Sequence, residues 1–507
     1  MFTGQWTKSN SLEMAIGPKI WETWNQLSYQ VFDAMIREEQ WLAEGENGPS
    51  MSNTWLCVPQ LISNLACLTG AASSLNGHSV WMLDFYLLLL GEVLQAIFST
   101  SLLTNRTERL PPEERLGNFT SGPEPSETLR RELLNEAPGV ESHVNMIRVI
   151  MNIIGEELRQ WENALHSISK PGIFAVARRM IVHPKFTKSY AYNTFVTLNN
   201  LGVEVKIFDG SNEIIQWIQK SLKAGSVNTC PFELWRSGET VLKKEAPREA
   251  VGRDLLMSKS NQRCPIFAWA SHFQITFKSG IFESEAVFTM SGSQENKGEE
   301  MYLRFHSEKP KMKFCSIGRT GILEVPTNSS NIFLYFVTDV ERALTGPQLL
   351  DMIREVQKAV PETHTAYIPI WWSQEKVSNV AKGIKNALDA EPLFSHGGFG
   401  DLAMEDVEAS SEYSRKLTSN IQHFDMVTVF HQPDTSNIKR IVLQLPPFNV
   451  AHITCPFTLV VYDNKKKMPV YFGRIVTPKV VNMKAANTGE IIGNQHKPGP
   501  KKWCRLI

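Results

Sequence analysis

The sequence predicts an α+β fold, in which helices occupy the first third of the chain and strands most of the remainder. The chain has 507 residues, 42% of them hydrophobic, so it contains enough apolar side chains for a sizeable core. Helical periodicity dominates the N-terminal part, and short apolar or alternating runs typical of strands follow. Helices followed by strands, with a few further helices between them, are typical of α+β chains.

Four helices are predicted in the first third. Residues 19–42 and 143–168 carry apolar side chains at steps of three and four, and residues 58–77 form a helix of small residues that ends in glycines. The apolar stretch 79–103 is interrupted by two acidic residues, so we interpret it as a buried helix and not as a membrane span. Residues 104–139 are rich in Pro, Glu, Arg and Ser and predict an exposed insertion.

The remainder of the chain predicts strands separated by a few helices. Helices are expected in 188–202, in 344–360, in 377–390 and in 211–225, where Ser211 would cap the first turn. The predicted strands are 174–182, 203–210, 265–277, 285–290, 300–305, 310–317, 320–326, 331–340, 420–430, 440–445, 452–463 and 468–478. No fixed-period repeat accompanies them.

Sequence signatures of catalysis are missing. The chain has no G-x-x-x-x-G-K-[ST], no H-E-x-x-H and no G-x-S-x-G. His396, Gly397 and Gly398 are similar to the oxyanion loop of some esterases, but such a loop has no role without a nucleophile, so a plain loop is the better interpretation. A lone histidine among apolar neighbours, such as His423, favours a hydrogen-bonded core residue. We predict that the protein is not an enzyme and holds no metal or cofactor; an enzyme that uses the His396 loop is an alternative.

Charge and cysteine content limit the other function classes. Lys plus Arg and Asp plus Glu each number 52, and a net charge near zero argues against nucleic-acid binding. The seven cysteines are scattered without a C-x-x-C spacing, which favours reduced thiols. The first residues lack the pattern of a secretory signal, so we expect an intracellular protein.

The C-terminal third resembles the end of the serpins. In CPFTLVVYDNKKKMPVYFGRIVTPK, residues 455–479, the runs TLVV and VYFG are joined by a lysine turn and predict a doubly buried antiparallel hairpin. His423 stands where serpins have the His of a His-Lys-Ala triplet, and 58–77 is similar to their second helix. The positions that match the serpin ending in order and spacing are Pro456, Phe457, Gly473, Arg474, Ile475 and Pro478.

The resemblance implies a fold and a domain division. It predicts a serpin-like domain over residues 1–479, with a large central, mostly antiparallel β-sheet, smaller sheets and about eight or nine helices. It also places a reactive-loop equivalent at 430–447. In serpins this loop is cut by a target protease and then inserts as a new strand into the central sheet.

The hinge of that loop departs from the serpin pattern. The family's Glu-Glu-Gly-Thr falls on His431, Gln432, Pro433 and Asp434. A proline fixes φ and removes a ladder donor, and an unpaired carboxylate inside a sheet costs several kcal/mol. We therefore predict a non-inhibitory binding or structural protein with a protein partner. For the segment itself, a solvated connector between two strands is the favoured interpretation, and a binding loop with Lys439 and Arg440 exposed is the alternative.

Two further interpretations stay open at this point. The alternative function is an active inhibitor of a trypsin-like serine protease, cleaved near Arg440, which follows Lys439. Residues 480–507 predict a basic, flexible tail, whose last four residues fit a loose C-a-a-X form with Cys504 as the lipidation candidate. Membrane association is expected only if Cys504 is prenylated.

Overall fold

The computed structural model describes the elements that build the core of the chain. The described residues are 9–44, 53–72, 89, 140–169, 173–182, 198–232, 266–276, 282–288, 300–306, 312–317, 320–338, 344–363, 365–369, 371–378, 380–387, 421–430, 450–453 and 457–475. The predicted insertion at 104–139, the reactive-loop equivalent after residue 430 and the tail at 480–507 lie outside them.

Six helices fall within these described ranges. They are α1 (Ser9–Glu44), α2 (Val58–Ala72), α3 (Val140–Ile168), α4 (Ser211–Leu222), α5 (Gly346–Lys358) and α6 (Val380–Ala387). The helices predicted at 19–42, 58–77 and 143–168 are confirmed as α1, α2 and α3, with shifted ends. The helix predicted at 79–103 lies outside the described residues except for Leu89. The predicted cap of α4 is wrong: Gly210, with φ 112°, is the N-cap and Ser211 already lies in the helix.

Fifteen strands within the described residues form three sheets. They are β1 (Thr54–Cys57), β2 (Ile173–Val182), β3 (Glu204–Ile207), β4 (Ile266–Thr276), β5 (Phe282–Phe288), β6 (Glu300–His306), β7 (Lys313–Ile317), β8 (Thr320–Pro326), β9 (Ile332–Thr338), β10 (Thr365–Pro369), β11 (Trp371–Ser378), β12 (Ile421–Phe430), β13 (Val450–His452), β14 (Phe457–Asp463) and β15 (Met468–Ile475).

The three sheets differ in their strand directions. The six-stranded sheet has the order β1-β15-β14-β9-β8-β7 and is antiparallel throughout. The four-stranded sheet has the order β13-β10-β6-β5, with one parallel pair between β10 and β13. The five-stranded sheet has the order β11-β12-β4-β2-β3, and its β12–β4 and β2–β3 pairs are parallel. The expected α+β architecture is confirmed.

Both strands of the hairpin β14–β15 are buried along their whole length in the six-stranded sheet, as the apolar runs TLVV and VYFG predict. Strand β15 also pairs with β1, and the register places Gly473 opposite Trp55. A Cβ on Gly473 would collide with the indole ring of Trp55, so this close approach requires glycine.

The five-stranded sheet separates two hydrophobic cores because alternate side chains of each strand point to opposite faces. Phe267, Val427 and Val429 contribute to the larger core, which also contains residues of α1, α2, α3 and the six-stranded sheet. Phe424 and Met426 face the smaller core, which is covered by α4 and includes Phe232. The sheet is therefore packed on both faces along β4 and β12.

Candidate functional site

The centre of the five-stranded sheet is a long parallel pairing between β4 and β12, which we call the seam. The register runs without interruption from Ile421 opposite Phe267 to Phe430 opposite Thr276. Parallel strands that are distant in sequence are held together by backbone hydrogen bonds and by the packing of both faces. Several polar side chains along the seam are buried, and we take them as the candidate site.

On the face toward the larger core, a hydrogen bond crosses the seam between two fully buried side chains. The hydroxyl of Ser271 on β4 donates to Oδ1 of Asp425 on β12, and the two residues are direct register partners. Burial raises the pKa of Asp425 to about 6, and hydrogen bonds from Ser271 and from the backbone of Cys57 offset part of that rise. The buried carboxylate on β12 is therefore hydrogen-bonded to β4 and to β1.

His423 forms a second contact across the seam two residues earlier. Its ring stacks on that of Trp269, its register partner, with 6.1 Å between centroids and 7° between planes. Asn64 Nδ2 on α2 lies 3.0 Å from His423 Nε2 and donates to it. Burial, with a smaller effect from the charge of Arg178, lowers the pKa of His423 to about 3, so the ring is neutral. The prediction that His423 is a hydrogen-bonded core residue is confirmed.

The opposite face of the seam carries a histidine bridge of its own. His272 Nδ1 on β4 lies 2.9 Å from the carbonyl oxygen of Leu222 at the end of α4, and Nε2 lies 3.2 Å from Thr428 Oγ1 on β12. Because a carbonyl only accepts, Nδ1 carries the proton and Nε2 accepts from the threonine hydroxyl. Burial lowers the pKa of His272. The seam is thus connected by side chains on both faces.

Helix α2 attaches the seam to the neighbouring strand through Gln60. Its Nε2 donates to the carbonyl oxygen of Ala270 on β4 at 2.7 Å, and its Oε1 accepts from Arg178 Nε on β2 at 2.8 Å. Arg178 also pairs with Glu162 on α3 and donates to the carbonyl oxygen of Leu201 at 3.1 Å. Helices α2 and α3 therefore hold β2 and β4 in place by hydrogen bonds as well as by packing.

Comparison with known proteins identifies the fold. No protein-family model matches the chain, and no curated protein sequence is detectably similar to it. The crystal structure of native protease nexin-1 with heparin matches 91% of this chain and all of its own, at 12% identity and a TM-score of 0.53. The mouse protein Z-dependent protease inhibitor matches 92% of this chain and 99% of its own, at 10% identity and a TM-score of 0.53. Manduca sexta serpin-12 matches 90% and 98%, at 11% identity and a TM-score of 0.51.

The chain has the serpin fold. The expectation drawn from the C-terminal hairpin and from His423 is confirmed at the level of the fold, across nine-tenths of the chain. The identity of 10 to 12% carries no residue role from those proteins to this one. What the site does in this chain must be argued from its own side chains.

The polar cluster of this serpin fold does not form a catalytic arrangement. Ser271, His423 and Asp425 are the residue types of a hydrolase triad, but the serine bonds directly to the aspartate and the histidine bonds to Asn64. All three are completely buried, so a substrate has no access to them. Within the described ranges no group of three His, Cys, Asp or Glu side chains is placed to hold a metal ion. The cluster is arranged to hold strands together.

Most residues predicted for the functional site fall outside the described ranges. These are the hinge residues His431, Gln432, Pro433 and Asp434, the basic pair Lys439 and Arg440, the loop residue His396 and the lipidation candidate Cys504. Their predicted roles stay predictions. Among the helices that the structure describes, none is both long and apolar enough to cross a membrane.

We call the polar group of Asn64, Ser271, His423 and Asp425 the seam cluster. The sequence reasoning missed three of its four members. Asp425, Ser271 and Asn64 carry no motif, and their partners lie up to 359 residues away in the chain. One signal was present: Asp425 occupies an inward position of β12, and apart from His423 the other residues on that face are apolar. A charged residue at such a position indicates a buried polar contact.

Proposed function

We propose that this protein is a binding or structural protein with the serpin fold and that it does not inhibit proteases. The segment 430–447 is then a contact surface for a protein partner, with Lys439 and Arg440 as its charged residues. The protein is not an enzyme in this proposal. Its partner is a protein and not a nucleic acid, since the chain has no excess of positive charge.

The observation that carries the proposal is that side-chain hydrogen bonds join β4 and β12 on both faces of the sheet. Insertion of a strand between β4 and β12 would move them from about 4.8 Å apart to about twice that spacing. The Ser271–Asp425 hydrogen bond on one face and the His272–Thr428 hydrogen bond on the other would both break. Asp425 would then be left in the sheet interior without its serine donor, at a cost of several kcal/mol.

The sequence after β12 supports the same conclusion. Pro433 stands at the position where the serpin hinge has glycine, and a proline cannot donate to the ladder of a central strand. Asp434 follows and would bring a second carboxylate toward the sheet. An inserting strand would therefore add an unfavourable residue while it breaks favourable contacts that already exist.

The decisive test measures stability before and after cleavage of this segment. The protein is nicked with a trypsin-like protease, cleavage after Arg440 is verified by mass spectrometry, and thermal unfolding is recorded for both forms. We expect the nicked protein to unfold at the same temperature as the intact one or lower, because no new strand joins the sheet. A large rise in the unfolding temperature would refute the proposal.

The same incubation tests the alternative of an active inhibitor. We expect no complex between the protein and the protease that survives SDS. Formation of such a complex by the wild type, together with its loss in the matched variant R440A, would establish the inhibitor instead. A complex that persists in R440A would show trapping at another bond and would also contradict our proposal.

A further inference from the structure

Strand β3 leaves one edge of the five-stranded sheet without a partner among the described strands. All four of its residues are exposed, and it pairs only with β2, in the regular parallel register Arg179–Glu204 to Val182–Ile207. Val205 and Ile207 are 40% and 62% exposed, and they are two of the three large hydrophobic side chains that are exposed among the described residues. An unprotected edge with exposed apolar side chains is a template for strand addition.

The backbone orientation of β3 identifies which groups face the open edge. The N–H of Phe208 donates to the carbonyl oxygen of Val182 on β2 at 2.8 Å. Backbone groups of successive strand residues point alternately to the two sides of the strand. The N–H and C=O of Val205 and of Ile207 are therefore directed away from β2.

The two charged residues of β3 differ in their contacts. Glu204 Oε2 accepts from Arg179 Nε at 3.2 Å and from Arg179 Nη2 at 2.8 Å, while no described donor bonds to its second oxygen, Oε1. Lys206 is exposed, and none of the ion pairs in the described part of the chain involves it. One acidic and one basic group are thus available two residues apart on the same face of the edge.

We propose that β3 is the interface of a homodimer, in which two copies pair their β3 strands antiparallel across a two-fold axis through Val205. In this register Val205 of each copy exchanges both backbone hydrogen bonds with Val205 of the partner subunit. Glu204 lies opposite Lys206 of the partner subunit, and Lys206 lies opposite the partner subunit's Glu204. These are the non-hydrogen-bonded pairs, whose side chains approach each other most closely.

A second copy fits this edge because the edge is complementary to itself. The two-fold axis through Val205 pairs an acidic with a basic residue twice, at Glu204 and Lys206 of each copy, and pairs Val205 with Val205 of the partner subunit once. The contact joins two five-stranded sheets into one of ten strands. Because only one short strand takes part, the contact is small, and we expect weak, concentration-dependent association.

The test uses charge reversal at the two complementary positions. Variant K206E has two acidic residues on the edge and variant E204K has two basic ones. By sedimentation velocity, the wild type should shift with rising concentration from the 57.3 kDa monomer toward twice that mass. Each variant alone should remain monomeric, and an equimolar mixture of the two should restore the dimer, because every pair across the axis is then of opposite sign.

Two controls distinguish pairing through β3 from a general effect of net charge and from misfolding. Lys220 on α4 is also exposed, so the matched variant K220E changes the net charge equally and should dimerise like the wild type. Variant V205P removes one outward N–H and should be monomeric even if E204K, which loses its contact with Arg179, fails to fold. A wild type that stays monomeric at all concentrations, or a K206E or V205P variant that dimerises as the wild type does, would overturn the proposal.

Discussion

Asp425 and His423 lie two residues apart on β12, and burial shifts their pKa values so that their effects on stability oppose each other. The pKa of Asp425 in the folded protein, about 6, exceeds that of an unfolded Asp, about 3.9. Between these values the folded state keeps a proton that the unfolded state releases. The carboxylate therefore destabilises the protein fully above pH 6, and this effect disappears as the pH falls toward 4.

His423 responds in the opposite sense. Its pKa in the folded protein is about 3, well below the unfolded value of about 6.5, so the unfolded state binds the extra proton between them. Above pH 6.5 the ring is neutral in both states and protonation costs no stability. As the pH falls from 6.5 toward 3, protonation of the unfolded state lowers the free energy of unfolding. Between pH 6 and pH 4 the two groups largely cancel, and the wild-type seam should respond weakly to acid.

Substitution of either group should reveal the effect of the other. We expect D425N to be more stable than the wild type at pH 7 by up to about 3 kcal/mol, and this advantage should shrink by about 1.4 kcal/mol per pH unit between pH 6 and pH 4. The second variant, H423Q, keeps an acceptor for Asn64. Its free energy of unfolding should rise relative to that of the wild type as the pH falls, because it lacks the histidine that the unfolded wild type protonates. Urea unfolding at pH 7 and pH 4.5 measures both differences. An advantage of D425N that is equal at the two pH values would show that burial does not raise the pKa of Asp425.

At the scale of elements, the contact between β1 and β15 depends on glycine at position 473. Gly473 lies opposite Trp55, which is completely buried, and a methyl group at this position would overlap the indole ring. We expect G473A to lower the free energy of unfolding by about 1 to 3 kcal/mol, in the range of overpacked core positions. Equilibrium denaturation measures the loss. The control G225A adds a methyl group where no atom lies within 4 Å, and it should change stability little; a G473A variant as stable as G225A would show that the two strands do not need glycine here.

The elements themselves were largely predictable, because their periodicity is local. The apolar runs around Leu459 and Phe472 predicted β14 and β15, and both are buried throughout. Strand β12 was predicted over 420–430 and is observed over Ile421–Phe430. The start of α4 was predicted wrongly at Ser211 because glycine at position 210 adopts a positive φ that a residue-type preference for serine does not anticipate.

The seam cluster was not predictable in the same way, because its contacts depend on register between distant segments. The sequence shows that His423 is surrounded by apolar residues, but it does not show that Asn64 faces it or that Ser271 lies opposite Asp425. Those pairings follow only once β4 and β12 are aligned in parallel and α2 is packed beneath them. Sequence periodicity indicates which face of a strand a residue occupies, but not which residue of another strand or helix it contacts.

At the scale of the whole molecule, the seam lies between the two hydrophobic cores and contributes side chains to both. The larger core packs on one face of β4 and β12, and the smaller core, covered by α4, packs on the other. Separating these strands would expose apolar side chains on both faces at once and would break one polar contact on each. The seam and both cores should therefore open together, in one cooperative step.

Native-state hydrogen exchange measures whether the seam opens by itself. We expect the amides of β4 and β12 to exchange with the free energy of global unfolding, as should those of the hairpin β14–β15, which serves as the internal reference because it is buried along its whole length. The amides at the open edge of β3 should exchange faster. Seam amides that exchange more than about tenfold faster than the reference, after correction for intrinsic rates, would indicate a separate opening below global unfolding. Such an opening would make room for an added strand, and it would remove the physical basis for a protein that cannot insert its own loop.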